Sequence, residues 1–250
     1  MTEVGLFKGC ATAALAGAAA VLGAVAAAQD AALPEGETGI AAAYANDQGI
    51  GEHANVLFAD DFESYSSANQ LTGSGNYDVY YRESDIAIDT GTFFAGTASL
   101  RIGLPASGGD VFNAVVKSIA PTRDTLHVRV YARYQPDYQG VSFAHNGIRI
   151  SGNYGGPGQR PDGTDFFLVL IENSRLGAEP EPGYTHAYVY HPEQDDVYGE
   201  HWFPDGSTSN GGQTFGDSFV ARPNVVPPRG QWISVEVMLQ LNDPGVRNGR

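Results

Sequence analysis

From Val56 onward no stretch of the chain sustains a 3.6-residue apolar period; short apolar or alternating runs are instead separated by Gly, Pro, Asn and Asp. A two-residue period broken by turn residues is the mark of β-strands, so the fold has to be assembled from sheets with unlike faces. The runs are VLFADDF, DVYYRE, DIAIDT, ASLRIGL, NAVVKSI, TLHVRVYARY, VSFAHNGIRI, DFFLVLIEN and YTHAYVYH, with QWISVEVMLQLN after them. The 32 glycines and 14 prolines supply the turns such a chain needs. The expected fold is all-β, a two-sheet antiparallel β-sandwich or jelly roll in one domain.

Ahead of that domain, Lys8 is followed by the apolar run CATAALAGAAAVLGAVAAAQ, ending in Ala26-Ala27-Ala28. This pattern suits an export signal over residues 1–28, cleaved before Gln29, and a secreted or periplasmic protein with no stable membrane association after cleavage. An uncleaved anchor or a buried Ala-rich helix stays open, although the run is rich in Ala and Gly for a permanent span. Residues 29–54 lack a sustained period and are expected to form a linker, with the domain over 55–250. Cys10 is the single cysteine and lies in the leader, so no disulfide and no Cys-based zinc site is expected in the domain. A net charge of -15 excludes a general nucleic-acid role, which needs a broad basic surface.

Period-two geometry assigns faces on three strands. In TLHVRVYARY, Leu126, Val128, Val130 and Ala132 oppose His127, Arg129, Tyr131 and Arg133. In YTHAYVYH, Tyr184, His186, Tyr188 and Tyr190 share a face, and in QWISVEVMLQLN Ile233, Val235, Val237, Leu239 and Leu241 oppose Trp232, Ser234, Glu236, Met238 and Gln240. Such Tyr, His, Arg and Gln faces exceed what a solvated surface needs. Cross-strand packing of good strand formers is the plainer explanation of the same pattern. Lys8 and Lys117 are the only lysines among 14 basic residues, so most cations are planar forks suited to carboxylates.

The order of LFADDFES, NGIRISGNYGG, YTHAYVYH, RGQWISVEVMLQLN and NDPGVRNGR resembles the jelly-roll, concanavalin A-like polysaccharide lyases over roughly residues 56–250. The chain is most similar to the alginate- and glucuronan-cleaving group known as family fourteen and its neighbours. The resemblance implies a curved sheet that holds an acidic polysaccharide, with Tyr188 and Tyr190 matching the family's catalytic tyrosine pair. It also implies a further Trp-containing strand beyond Arg250, so the domain is expected to be incomplete at its C-terminus, leaving QWISVEVMLQLN without a ladder partner. The chain departs from the family in two places. Phe143-Ala144-His145-Asn146-Gly147-Ile148 replaces a Lys-Leu-Pro-Gly-type loop, leaving open whether His145 stands in for the lysine. Asp165-Phe166-Phe167-Leu168-Val169-Leu170 lacks the family's Ser-x-Arg pair.

β-Elimination on a uronate polymer needs a cation for the sugar carboxylate, a base for the adjacent proton and an acid for the leaving oxygen. Arg149 or Arg129 can pair with the carboxylate, His186 can act as base, and Tyr188 or Tyr190 can donate the proton if a nearby cation lowers the phenol pKa. The catalytic set is therefore His186, Tyr188, Tyr190, Arg149 and His145, with Arg129, Tyr131, Arg133, Tyr184 and Gln240 binding substrate. A non-catalytic, lectin-like module is the competing class, favoured by the two departures, and a surface domain with no saccharide site is a third. Hydrolysis by paired carboxylates is disfavoured because Glu236 is the only acid on the polar face of its strand. No cofactor and no metal ligand is expected in the site; calcium at Asp60, Asp61 and Glu63 is the one metal considered. The Gly-rich segment 151–163 lacks a phosphate-loop ending and suits the rim of a cleft, while HPEQDDVYGEH, with His191 and His201, suits an exposed loop.

Overall fold

The computed structural model describes residues 2–5, 9–12, 39–81, 85–103, 112–140, 145–175, 177–209, 219–243, 246 and 248–250. In chain order the strands are β1 (Thr2–Gly5), β2 (Gly9–Thr12), β3 (Val56–Asp60), β4 (Val79–Tyr81), β5 (Ile86–Asp89), β6 (Ser99–Ile102) and β7 (Ala114–Ile119). They continue with β8 (Thr125–Ala132), β9 (Ile148–Gly152), β10 (Phe167–Ser174), β11 (Tyr184–Tyr190), β12 (Glu200–Trp202), β13 (Thr208–Ser209) and β14 (Ile233–Gln240). The one α-helix among the described residues is the four-residue turn Gln70–Gly73. The fold is an all-β sandwich, as the alternation demanded.

An eight-stranded sheet runs β13-β12-β11-β10-β9-β1-β7-β4, a four-stranded sheet runs β14-β8-β2-β3, and β5 and β6 form a separate hairpin ladder. The ladders between these strands are antiparallel. The apolar faces of the two large sheets meet in one core: Val115 and Ile119 of β7 and Ile148 and Ile150 of β9 pack with Leu126, Val128 and Val130 of β8. Val235, Val237 and Leu239 face this core but are only partly buried, because β14 is the edge of its sheet and has a neighbour on one side.

β1 and β2 lie within the stretch expected to be a leader, and each is paired on both sides: β1 with β7 and β9, β2 with β3 and β8. Residues 39–54, expected to be linker, form three short 3-10 turns, with Ile50 buried. Among the described residues β14 has a single ladder partner, β8, and stands at the edge of its sheet. It pairs with β8 at all eight positions, from Ile233 opposite Ala132 to Gln240 opposite Thr125. Beyond it the chain doubles back, and Arg250 exchanges backbone hydrogen bonds of 2.6 and 2.9 Å with Gln240. No helix among the described residues is long and apolar enough to cross a membrane.

The two ends of this burial range give a stability test. Val128→Ala empties a site with no solvent access and should cost about 1.5–3 kcal/mol, whereas Val237→Ala on the half-covered edge should cost clearly less. Urea unfolding of the two variants measures the difference, and equal losses would contradict the placement of β14 at an edge.

Candidate functional site

The outer face of the eight-stranded sheet carries the polar side chains of β9–β12. Register places Arg149, Leu170, Tyr188 and His201 side by side across four strands, with Glu172 opposite His186 in the adjacent row. Strand alternation puts all of them on the face turned away from Ile148 and Ile150.

Glu172 is the centre of this face. It is 1% exposed, and His186 and His201 beside it are 2% and 1% exposed. His145 Nδ1 lies 2.8 Å from Glu172 Oε2, and His186 Nε2 lies 3.2 Å from Glu172 Oε1. His201 Nδ1 is 2.9 Å from His186 Nε2 and 3.5 Å from Glu172 Oε1. Burial by itself raises the pKa of a carboxyl group, but the imidazoles of His145, His186 and His201 beside it outweigh it and hold Glu172 well below the usual glutamate range. His186 Nδ1 is 2.9 Å from the Tyr184 carbonyl oxygen, which only accepts, so Nδ1 carries a proton and, in the neutral ring, Nε2 turns a lone pair to the cluster.

His145 is brought to this point by its neighbours. Asn146 Oδ1 accepts from the Asn173 amide at 3.0 Å and from the Tyr134 hydroxyl at 3.2 Å, while its Nδ2 donates to the Tyr138 hydroxyl at 3.0 Å and to the Asn173 carbonyl. At Gly147, φ is 111° and a Cβ would stand 2.1 Å from the Ile171 carbonyl oxygen, so only glycine lets the loop run this close to β10. The His145 side chain is left 46% exposed above a fully buried carboxylate.

The tyrosines form the other half of the face. The Tyr188 ring lies 4.5 Å from His145 and 4.7 Å from His201, and Tyr190 stands edge-on to Tyr188 at 5.6 Å. Tyr154, from the Gly-rich segment, meets Tyr190 at 5.3 Å, and the Arg149 guanidinium lies 4.9 Å over the Tyr154 ring. The chain from Arg149 through Tyr154, Tyr190 and Tyr188 to His145 is thus continuous. It is also roofed. Tyr188 and Tyr190 are buried, the Gly199 amide donates to the Tyr188 hydroxyl at 3.0 Å, and a Cβ on Gly199 would lie 2.9 Å from the Tyr188 ring. Burial, with the Tyr190 hydroxyl as the next cause, raises the pKa of Tyr188 far above the normal phenol value. The expected lowering by a cation is therefore overturned, and Tyr188 stays a neutral donor.

Of the residues expected in the site, His145, Arg149, Tyr184, His186, Tyr188 and Tyr190 share this region. Arg129, Tyr131, Arg133 and Gln240 do not, because β8 and β14 belong to the other sheet and their polar faces turn to its outside. Arg129 is bound there by Glu236 Oε2 at 2.7 Å and by Asp47 at 3.1 Å, and Tyr131 stacks on Phe94 at 4.0 Å. Gln240 ends β14 opposite Arg250. Glu236 is the partner of Arg129 rather than half of a carboxylate pair.

HPEQDDVYGEH is no exposed loop throughout. His201 is buried in β12, Gln194 is buried, and buried Glu200 binds His191 Nε2 at 2.9 Å and the Trp202 indole N–H at 3.1 Å. Asp60, Asp61 and Glu63 are not gathered around one point. Asp60 accepts from the Phe62 amide and the Tyr65 hydroxyl, Asp61 from the Glu63 amide, and Glu63 from the amides of Thr97 and Ala98. Among the described residues, the group that could hold a metal ion is instead Glu172, His186 and His201. Sequence reasoning missed Glu172, His201, Asn146 and Asn173. The one visible signal was an acid ending the Leu168, Leu170, Glu172 face of an otherwise apolar strand.

No family model matches the chain, and no curated protein or solved structure shows significant similarity to it. The likeness to the lyases rests on the motifs quoted above.

Asn146→Ala tests whether the pinning of His145 matters to the fold. It strips the buried Asn173 amide of its acceptor and should cost roughly 1–3 kcal/mol in urea unfolding. A loss within error of zero would show that the network is dispensable.

Proposed function

We propose that the protein is exported, binds an acidic polysaccharide along the outer face of β9–β12 and cleaves it by β-elimination. One observation carries the reading: His145 is half exposed, anchored at Nδ1 by a buried carboxylate, on the same face as Arg149 and Tyr154. The Nδ1 proton donates to Glu172, so Nε2 offers its lone pair outward, with no partner among the described residues. That is the arrangement of an oriented general base.

In this mechanism Arg149 holds the uronate carboxylate and spreads the charge that develops beside it. His145 Nε2 takes the proton from the carbon next to that carboxylate. The electron pair forms the double bond to the neighbouring carbon as its bond to the glycosidic oxygen breaks. A neutral phenol of the Tyr154–Tyr190 pair returns a proton to the leaving oxygen. Tyr154 is the half-buried member of that pair and is kept neutral by burial, then by its hydrogen bond with Tyr190. His145 thus takes over the base role first expected of His186, whose two nitrogens face the Tyr184 carbonyl and the Glu172–His201 cluster.

The roof over Tyr188 and Tyr190 favours a second reading, a module that binds the polymer without cutting it. Incubation with alginate and glucuronan, followed by the absorbance of unsaturated ends, separates the two. For a lyase, His145→Ala should lower kcat by about 10²–10⁴-fold with near-normal uronan affinity. For either reading, Arg149→Ala should weaken affinity by about tenfold or more, and raised salt should act in the same direction. Wild-type protein that neither retains a uronan nor releases unsaturated ends would defeat both. Export is checked by fractionating cells and medium and by N-terminal sequencing: a first residue of Gln29 would mean a chain folded without β1 and β2, whereas an intact N-terminus keeps both strands in their ladders.

A further inference from the structure

We propose that Glu172, His186 and His201 are the protein ligands of a divalent transition-metal ion of the zinc type, seated between β10, β11 and β12. The inference goes beyond the polysaccharide reading and does not depend on it.

Geometry comes first. His186 Nε2, His201 Nδ1 and Glu172 Oε1 are separated by 2.9, 3.2 and 3.5 Å. Ligand atoms ~2.0–2.2 Å from a tetrahedral zinc ion lie ~3.3–3.6 Å from one another, so shifts of a few tenths of an ångström open the seat. Proton counting points the same way. The Tyr184 carbonyl fixes the His186 tautomer, so in the neutral ring Nε2 has a lone pair and no proton. The carboxylate oxygen is an acceptor too. A neutral His201 can bring at most one proton to Nδ1, leaving three converging acceptor atoms with a single hydrogen among them. A dication accepts all three lone pairs and balances the buried negative charge, which would otherwise be costly with the Glu172 side chain fully out of water.

The surroundings match what a metal site requires of its outer contacts. His186 donates its other ring N–H to a backbone carbonyl, and the second oxygen of Glu172 is held by His145 at 2.8 Å. These contacts fix ring orientation before an ion arrives. Two imidazole nitrogens with one carboxylate oxygen suit zinc and its first-row neighbours, whereas calcium takes six to eight oxygen ligands in general. The rival occupant is a proton, which would make one of the two histidines an imidazolium.

The full chain, purified without chelator from zinc-supplemented medium, should retain about one zinc per molecule by plasma mass spectrometry, the stoichiometry of one three-ligand seat. Stripping should lower its melting temperature; zinc should restore it and calcium at equal concentration should not. Cobalt(II) added to the stripped protein should give the visible bands of nitrogen–oxygen coordination. His201→Ala and Glu172→Gln should each abolish stoichiometric zinc, while His145→Ala, outside the three ligands, should keep it. Should the first two variants fail to fold, the cobalt spectrum and the zinc-against-calcium melts of the wild-type chain decide. Only traces of zinc in the wild type with no melting response to added zinc would overturn the proposal in favour of the proton. Folded His201→Ala that holds zinc as the wild type does would overturn it equally.

Discussion

A carboxylate that cannot reach water must be met by donors or by a cation, and Glu172 places that demand on four parts of the chain at once. β10 carries the charge, β11 and β12 each answer with a histidine, and the loop before β9 adds His145. Removing one partner of a buried charge is costlier than never having built the pair, so these four parts are held to one arrangement. The short β12, three residues long, keeps its register through His201 beside Tyr188 as well as through its ladder. The chemistry of the face follows from that constraint, since the group that anchors the sheet also aims the exposed imidazole.

The fold was legible where the physics is local. Alternation alone separated Leu126, Val128 and Val130 from His127, Arg129 and Tyr131, and the first three are buried in the core. What alternation does not carry is which sheet a strand joins, because that depends on ladders formed between residues far apart in sequence. The polar faces of β8 and β11 look alike as text, yet they point out of opposite sides of the sandwich. Four expected binding residues were misplaced for that reason alone.

The site was legible in part for a related reason. Tyr184, His186, Tyr188 and Tyr190 were visible because seven residues of β11 are enough to show a period of two. His201 was hidden because three residues are too few, and the glycine and acids around it imitate a solvated loop. Glu172 was hidden by the apolar run before it, which reads as a strand buried on both sides. A lone acid inside such a run is the cue to look for its partners, since nothing else in a sheet explains it.

The clamp of Asp47 and Glu236 on Arg129 bears on the valency of the molecule. A sandwich has two outer faces, and here one of them is dressed: residues 39–54 supply Asp47 to it, and Phe94 lies flat on Tyr131. The cation best suited to a sugar acid on that side is already neutralised by two carboxylates. On the proposed reading a polymer would meet one receptive surface, and a single copy of the chain would hold one strand of it without bridging to a second.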